Sequence, residues 1–320
     1  TSSFSATGLT NNTEYHFQVA AVDSSGYRGS FSQEISAMPQ YMGPTWWVDI
    51  NGNDMNDGSQ SSPFYNLNYA FSQIANGDTI ILTETGQHDI NNEIGGDALS
   101  NLTEFHLRGS TGNPKDVSLS GNSNSRHFSL QNKIATFKYI TFKNGFASQA
   151  SGGGGGGSFI IGPGTETRVN FDNCIFYRNI SDGSGWGSGG AILIDNVQEA
   201  KFVNCIFREN NVLNQGSGGA VYIYDDPSDG QATLHVFDNC QFKRNGIQYG
   251  TINEQKWSNG GALSIQGAAV IENCVLDSNY IRHEYANTGE TMSASGGAIF
   301  IGLGGDGNNI SSWNDIPFSI

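Results

Sequence analysis

The chain is poor in charged residues, above all in positive ones. It carries 15 lysines and arginines against 30 acidic residues, a formal net charge of −15 over 320 residues. This balance argues against nucleic acid as a partner, because phosphate recognition needs a basic face. No apolar run of eighteen residues occurs, so the sequence predicts no transmembrane helix. No CxxC pair or histidine cluster accompanies the four cysteines, so they do not indicate a metal site.

All four cysteines fall at one position of an internal repeat, with spacings of 31, 35 and 34 residues. The repeat reads FDNCIFYRN from Phe171, recurs from Phe202, Phe237 and Ile271, and alternates with a Gly-Gly-Ala step. A period of this length indicates the stacked coils of a solenoid. The cysteine position is flanked by inward aromatics, which favours buried free thiols over disulfides. The predicted thiols are Cys174, Cys205, Cys240 and Cys274.

The spacing of apolar residues predicts the kind of solenoid. Successive inward apolar residues are three positions apart before each cysteine and two positions apart after it. The change falls at the asparagine before the cysteine, and it indicates a bend with left-handed backbone at that residue. Two short strands would meet at this bend, and a third would follow the glycines. Without any helical period, the repeat predicts a parallel β-helix with three strands per coil, each coil rising about 4.8 Å. The bend asparagines are Asn173, Asn204, Asn239 and Asn273.

The pairing of GGA(I/L/V) with FxxN, as in Gly189–Ala191 and Phe176–Asn179, resembles the repeat of the polymorphic outer-membrane protein family of bacterial surface adhesins. The resemblance covers roughly residues 100–320. It implies a right-handed β-helix displayed outside a bacterial cell, and it specifies fold better than function.

Two further segments resemble known modules. Residues 46–82 resemble the opening of secreted pectate-lyase-like β-helix proteins, with Leu67, Ala70, Phe71 and Ile74 on one face of a helix predicted to cap the coil. Residues 1–39 resemble the last strands of a fibronectin type III β-sandwich, whose tyrosine corner would contain Tyr15. The predicted domain organisation is a partial sandwich at 1–39, a linker at 40–45, a cap and first coil at 46–99, and repeats at 100–320.

We expect this chain to be an internal fragment of a larger protein.

A pair of tryptophans is the first candidate for a binding site. Trp186 and Trp257 each lie three residues before a repeat glycine, two coils apart, so their rings are predicted about 10 Å apart on one face. Such rings would stack on alternate sugars of a glycan, with the outward Tyr222 and Tyr224 extending the surface. The simpler interpretation, which we favour, is that each tryptophan packs its own loop against the coil.

A basic row is the second candidate. Its members follow the inward phenylalanine of successive coils and would hold an anionic polysaccharide. In the pectate-lyase-like enzymes that the front end resembles, an arginine or lysine acts as base and calcium neutralises the uronate. A solvated face of mixed charge is the favoured alternative. The row consists of Lys143, Arg178, Arg208, Lys243 and Arg244.

An acidic loop is the third candidate. Asp225, Asp226 and Asp229 lie in one insertion, with His235 nearby. Carboxylates at this density can bind calcium or supply the acid and base of a glycosidase. Ordinary turn chemistry explains the same residues, because Pro-Ser-Asp-Gly is a typical turn sequence.

Two functions follow. The first and preferred one is a non-catalytic, secreted or cell-surface β-helix that binds glycans or other surfaces as an adhesin-like module. The second is an extracellular lyase or hydrolase acting on an acidic polysaccharide. An outward arginine or lysine facing two or three carboxylates across neighbouring coils would distinguish the enzyme.

Overall fold

The computed structural model of the protein describes residues 3–11, 13–83, 86–148, 155–225, 233–249, 256–283, 292–302 and 318–319. Within these ranges, the side chains of residues 183–187, 215, 249, 256, 257, 283, 292–294, 318 and 319 lie outside the description. None of the described helices is long and apolar enough to cross a membrane.

An antiparallel hairpin precedes the solenoid. Strand β1 (Tyr15–Phe17) pairs with β2 (Ile35–Ala37). The Tyr15 hydroxyl accepts a hydrogen bond of 2.9 Å from the backbone N–H of Thr10, the contact expected of a tyrosine corner. The assignment of this segment to a fibronectin type III domain stays a prediction.

The rest of the chain winds into a parallel β-helix, and each full coil contributes one strand, or in the third sheet of the last two coils two strands, to each of four parallel sheets. The first sheet contains β3 (Thr45–Val48), β4 (Thr79–Leu82), β6 (Glu104–Gly109), β9 (Ile134–Lys138), β13 (Gly164–Asp172), β17 (Val197–Val203), β21 (Leu234–Asp238), β26 (Ala269–Glu272) and β31 (Phe318–Ser319). The second contains β5 (Gln87–Asp89), β7 (Ser118–Ser120), β10 (Thr141–Lys143), β14 (Ile175–Tyr177), β18 (Ile206–Arg208), β22 (Gln241–Lys243) and β27 (Val275–Asp277).

The other two sheets close the coil. The third contains β11 (Phe146–Ala147), β15 (Ile180–Ser188), β19 (Asn211–Ser217), β23 (Gly246–Tyr249), β24 (Lys256–Asn259), β28 (Tyr280–His283) and β29 (Met292–Ser295). The fourth contains β8 (Phe128–Leu130), β12 (Phe159–Ile161), β16 (Ile192–Asp195), β20 (Val221–Tyr224), β25 (Leu263–Gln266) and β30 (Ile299–Ile301). A right-handed winding is the sense expected for parallel strand crossovers.

The third sheet corrects the prediction of three strands per coil. Its strands occupy segments rich in glycine, asparagine and serine, which have low intrinsic strand propensity. They form because each coil offers its neighbour a row of backbone donors and acceptors, so the pairing imposes the conformation. The strand predicted after the glycines belongs to the fourth sheet.

The predicted ladders are present. The bend asparagines between the first and second sheets have left-handed backbones, with φ of 52°, 55°, 53° and 54° at Asn173, Asn204, Asn239 and Asn273. The phenylalanine rings stack from coil to coil, with centroids 5.1 and 4.7 Å apart through Phe171, Phe202 and Phe237. All four cysteines are free thiols, and burial raises the pKa of Cys205. Three of them are buried, and Cys274 is half-buried.

A second asparagine ladder lies where the second sheet turns into the third. Its members are the last residues of the FxxN motifs, and Asn179, Asn210 and Asn245 are fully buried. Each carboxamide bonds to the next coil: Asn210 Oδ1 accepts from the backbone N and from Nδ2 of Asn179, both at 3.0 Å. The Asn210 amide also donates to the carbonyl oxygen of Phe176 at 3.0 Å. These bonds fix the spacing between neighbouring coils at this corner.

The predicted helix forms as α1 (Leu67–Gln73), between β3 and β4. The Asn66 side chain accepts from the backbone N–H of Asn68 and begins the helix. Leu67, Ala70 and Phe71 are buried, and the Phe71 ring packs edge-on against Phe105. A short 3₁₀ helix at Gly96–Leu99 contacts α1. The role of α1 as an end cap stays a prediction.

Candidate functional site

At the corner between the second and third sheets, three successive coils each present one charged side chain. Arg178, Glu209 and Arg244 occupy equivalent positions there, with φ of 54°, 57° and 53°. Left-handed backbone is uncommon for residues of this size, and the buried asparagine that follows each of them stabilises it. Stacked coils place these three side chains in one column, about 4.8 Å apart.

The column forms an ion-pair cluster around one carboxylate. Glu209 Oε2 accepts from Arg178 Nε at 3.0 Å, and Glu209 Oε1 accepts from Arg244 Nη2 at 2.8 Å. Arg208 Nε lies 3.7 Å from Oε1. Partial desolvation opposes ionisation of Glu209, but the hydrogen bond from Arg178 and the three positive charges outweigh it and lower its pKa. Three guanidinium groups and one carboxylate leave a local charge of about +2 in an acidic chain.

The predicted basic row is thus divided into two columns. Lys143, Arg208 and Lys243 share one position of the second sheet with Tyr177. The guanidinium groups of Arg178 and Arg208 lie 4.9 and 4.3 Å from the Tyr177 ring centroid. Such cation–π contacts hold the arginines at the surface without neutralising them.

A tyrosine ring lies on the third sheet beside these arginines. A Cβ on Gly246 would stand 2.5 Å from the Tyr280 ring, so only glycine leaves room for the ring to cover this strand. The Tyr280 hydroxyl donates to Asn211 Oδ1 at 2.7 Å, two coils away. Burial raises the pKa of Tyr280, although Arg282 partly opposes the shift. The ring therefore forms a flat apolar surface across the sheet.

These residues line one shallow groove of about 420 Å³, here called the arginine groove. It offers guanidinium donors, a carboxylate, an amide and an aromatic surface within one cavity. Its lining residues are Arg178, Ile180, Glu209, Asn211, Arg244 and Tyr280.

The two candidate tyrosines lie on a different sheet from the arginines. Tyr222 and Tyr224 are outward residues of β20 in the fourth sheet, and Tyr224 pairs in register with Asp195. Burial, assisted by Tyr224 and Asp195, raises the pKa of Tyr222 to about 12. Burial, assisted by the charge of Asp225, raises the pKa of Asp195. The tyrosines and the arginine groove are separate surfaces.

The Asp225 carboxylate makes structural hydrogen bonds. Its carboxylate accepts from Thr233 Oγ1 at 2.9 Å and from His235 Nε2 at 3.0 Å, and both Asp225 and His235 are buried. The backbone N–H of Ala200 donates to His235 Nδ1 at 3.2 Å, which places the ring proton on Nε2. Asp226 and Asp229 lie outside the described residues. Among the described residues no group of three His, Cys, Asp or Glu side chains is placed to hold a metal ion.

Trp186 and Trp257 belong to strands β15 and β24, which both pair with β19 in the third sheet. Their side chains lie outside the description, so their stacking role stays a prediction. The backbones nevertheless belong to the same sheet as the arginine groove.

Sequence reasoning missed Glu209, Tyr280 and Gly246. Glu209 carries a readable signal, because it precedes the FxxN asparagine just as Arg178 and Arg244 do. Tyr280 and Gly246 carry no comparable signal, because their contact depends on the lateral pairing of β23 with β28.

No protein-family model matches the sequence, and no curated protein matches it. A solved structure named rhamnogalacturonan lyase aligns with 82% of this chain at 15% sequence identity and a TM-score of 0.39. The chain covers 64% of the length of that protein. At this identity the likeness concerns the fold alone.

Proposed function

We propose that this chain is an extracellular β-helix module that binds an acidic polysaccharide through the arginine groove, without cleaving it. The observation that carries the proposal is the cluster of three arginines around Glu209, beside the flat ring of Tyr280. Guanidinium groups bind carboxylates with charge-assisted hydrogen bonds, and aromatic rings pack against the apolar faces of sugars.

The spacing of the cluster supports a polymeric ligand. Arg178 and Arg244 belong to coils on either side of the Glu209 coil, so their backbones are about 10 Å apart, twice the strand spacing. Both are well exposed, with 60% and 62% of their side chains accessible. Because both guanidinium groups bond to Glu209, they form one continuous cationic patch, which a chain of acidic sugars lying along the column would contact. The bacterial cell-surface location and adhesin role implied by the GGA/FxxN repeat fit such a ligand.

An acidic-polysaccharide lyase is the second candidate, because an arginine in a row along a β-helix can serve as the base. Such an enzyme needs several carboxylates around the arginine to hold the calcium that neutralises the uronate. Among the residues that the structure describes, a single carboxylate lies among three guanidinium groups, the reverse of that ratio. The groove therefore favours retention of an anion over its cleavage.

The test measures binding and cleavage together. Wild-type protein and the variant Arg178→Gln/Arg244→Gln are titrated with hyaluronan, polygalacturonate and neutral dextran, with calcium or with chelator. We expect hyaluronan to bind, dextran not to bind, and the double variant to lose about tenfold or more in affinity, since each charge-assisted contact contributes about 1.5–3 kcal/mol. Affinity should fall with salt.

Arg168→Gln/Lys201→Gln is the matched control, because it removes the same charge from the first sheet. Glu209→Gln should strengthen binding, since it removes the negative charge from the cluster. If both double variants lose polysaccharide affinity equally, the effect is one of nonspecific charge. The arginine groove is then refuted as the binding site. New unsaturated or reducing ends on the polysaccharide would report cleavage. That result would refute the non-catalytic binding module in favour of the lyase or hydrolase.

A further inference from the structure

We propose that the arginine groove continues along the third sheet into a second subsite, the Phe146 pocket, which accepts an uncharged sugar of the same polysaccharide. This inference rests on the proposed function and adds the composition and direction of the ligand. The Phe146 pocket is a cavity of about 220 Å³. Its lining includes Asn91, Asn92, Glu93, Asn124, Arg126 and Phe146.

Strand register joins the two cavities. Phe146 is the in-register neighbour of Ile180, and Ile180 is that of Asn211. The same column continues through Gly246 to Tyr280. One outward column of the third sheet therefore forms part of the lining of both cavities, with an aromatic ring at each end. Its five members span four strand spacings, about 19 Å.

The chemistry of the Phe146 pocket differs from that of the arginine groove. Its one cation, Arg126, is 6% exposed and pairs with Glu93 at 2.5 Å. Arg126 Nε and Nη2 also donate to the carbonyl oxygens of Gly156 and Gly155, each at 2.8 Å. The donors of the Arg126 guanidinium are thus bonded to the backbone of Gly155 and Gly156, and Glu93 balances its charge.

The remaining groups suit hydroxyl groups rather than an anion. Asn91, Asn92 and Asn124 are exposed at the rim, and each carboxamide offers a donor and an acceptor. The Phe146 side chain is partly exposed at the edge of the sheet and supplies an apolar contact. A partly exposed ring surrounded by amides matches the face and hydroxyls of a neutral sugar.

The two subsites together define the ligand. A chain lying along this column runs parallel to the solenoid axis, with each sugar advancing by roughly one coil. Acidic sugars would bind between Arg178 and Arg244, and a neutral sugar would bind beyond Arg178 at Phe146. The ligand class is therefore an extended polysaccharide that contains both acidic and neutral sugars, rather than a homopolymer of uronic acid.

The experiment compares short and long probes. Hyaluronan trisaccharides with two uronate ends and hyaluronan hexasaccharides are titrated by calorimetry into wild type, Phe146→Ala and Asn124→Asp. A trisaccharide can occupy the arginine groove alone, whereas a hexasaccharide reaches the Phe146 pocket. We expect both variants to lower hexasaccharide affinity about fivefold or more and to leave trisaccharide affinity unchanged, because a trisaccharide held between Arg178 and Arg244 does not extend to the coil of Phe146.

Controls separate this inference from the proposed function. Phe146→Tyr keeps the ring and should retain wild-type hexasaccharide affinity, which distinguishes a ligand contact from a folding defect. Arg178→Gln/Arg244→Gln should weaken both probes. If that double variant weakens both while Phe146→Ala and Asn124→Asp weaken neither, only the second subsite is refuted. If wild type binds neither probe, or the double variant binds both as wild type does, the proposed function is refuted too.

Discussion

The buried asparagine ladder provides a quantitative test of what holds the coils together. Replacing Asn210 with alanine removes the acceptor for the backbone N–H and side-chain amide of Asn179. It also removes one donor from the carbonyl of Phe176 and one from Oδ1 of Asn245. Water cannot replace these groups, because Asn179, Asn210 and Asn245 are all fully buried. An unpaired buried polar group costs about 1–3 kcal/mol, so we expect Asn210→Ala to destabilise the protein by about 4 kcal/mol.

Asn279→Ala is the matched control within the same ladder. Asn279 makes equivalent bonds, with its Oδ1 accepting from the backbone N and Nδ2 of Asn245, both at 3.0 Å. Asn279 itself is only half-buried, so water can enter the space that its side chain leaves and bond there to the donors of Asn245. We expect this variant to lose about 1 kcal/mol, the net value of an ordinary hydrogen bond.

The assay is urea unfolding of both variants beside wild type, followed by circular dichroism. A change in midpoint at constant slope reports stability, whereas a changed slope reports loss of cooperativity between coils. Equal losses for the two asparagines, or a loss below about 1 kcal/mol for Asn210→Ala, would refute the argument that burial makes this ladder essential.

Three further predictions follow from single residues. Cys205→Asp should lower stability by several kcal/mol because it buries an unpaired charge, and an unchanged thermal midpoint would contradict the inward assignment. Gly246→Ala should displace the Tyr280 ring, return the raised pKa of that tyrosine toward its ordinary value in ultraviolet titration, and weaken hyaluronan binding about threefold or more while the fold survives. Burial lowers the pKa of His127 from 6.5 to about 4. Its neutral ring accepts from Ser158 and donates to Leu119, so the folded state disfavours protonation and stability should fall by about 3 kcal/mol as pH drops from 6.5 to 4. An equally steep pH dependence of unfolding in His127→Gln would assign the effect to other groups.

Much of the fold follows from the sequence because the repeat records local geometry. The alternation around Cys174 distinguishes inward from outward side chains, and the asparagine before it predicts the left-handed bend that the structure contains. The stacked phenylalanines follow from the same periodicity. The helix at Leu67–Gln73 was predicted from its apolar face and begins at the Asn66 cap.

The candidate site was predicted only in part. Arg178, Arg208 and Arg244 were identified from their position after the inward phenylalanine, and they converge in the structure. The carboxylate at their centre, Glu209, was not predicted, because the predicted row was defined by its positive charges alone. Tyr222 was predicted to extend the surface of the tryptophan pair, but it belongs to the fourth sheet, whereas Trp186 and Trp257 belong to the third.

The sequence by itself determined that this chain is a parallel solenoid, which residues face inward, and where the first corner bends. These properties depend on contacts within one coil, which a repeat of 31 to 35 residues displays directly. Only the tertiary structure decided that a fourth strand closes each coil, that Glu209 gathers three arginines, and that Tyr280 reaches Asn211 across 69 positions. Those contacts join different coils, and their register depends on insertions of unequal length that local periodicity does not encode.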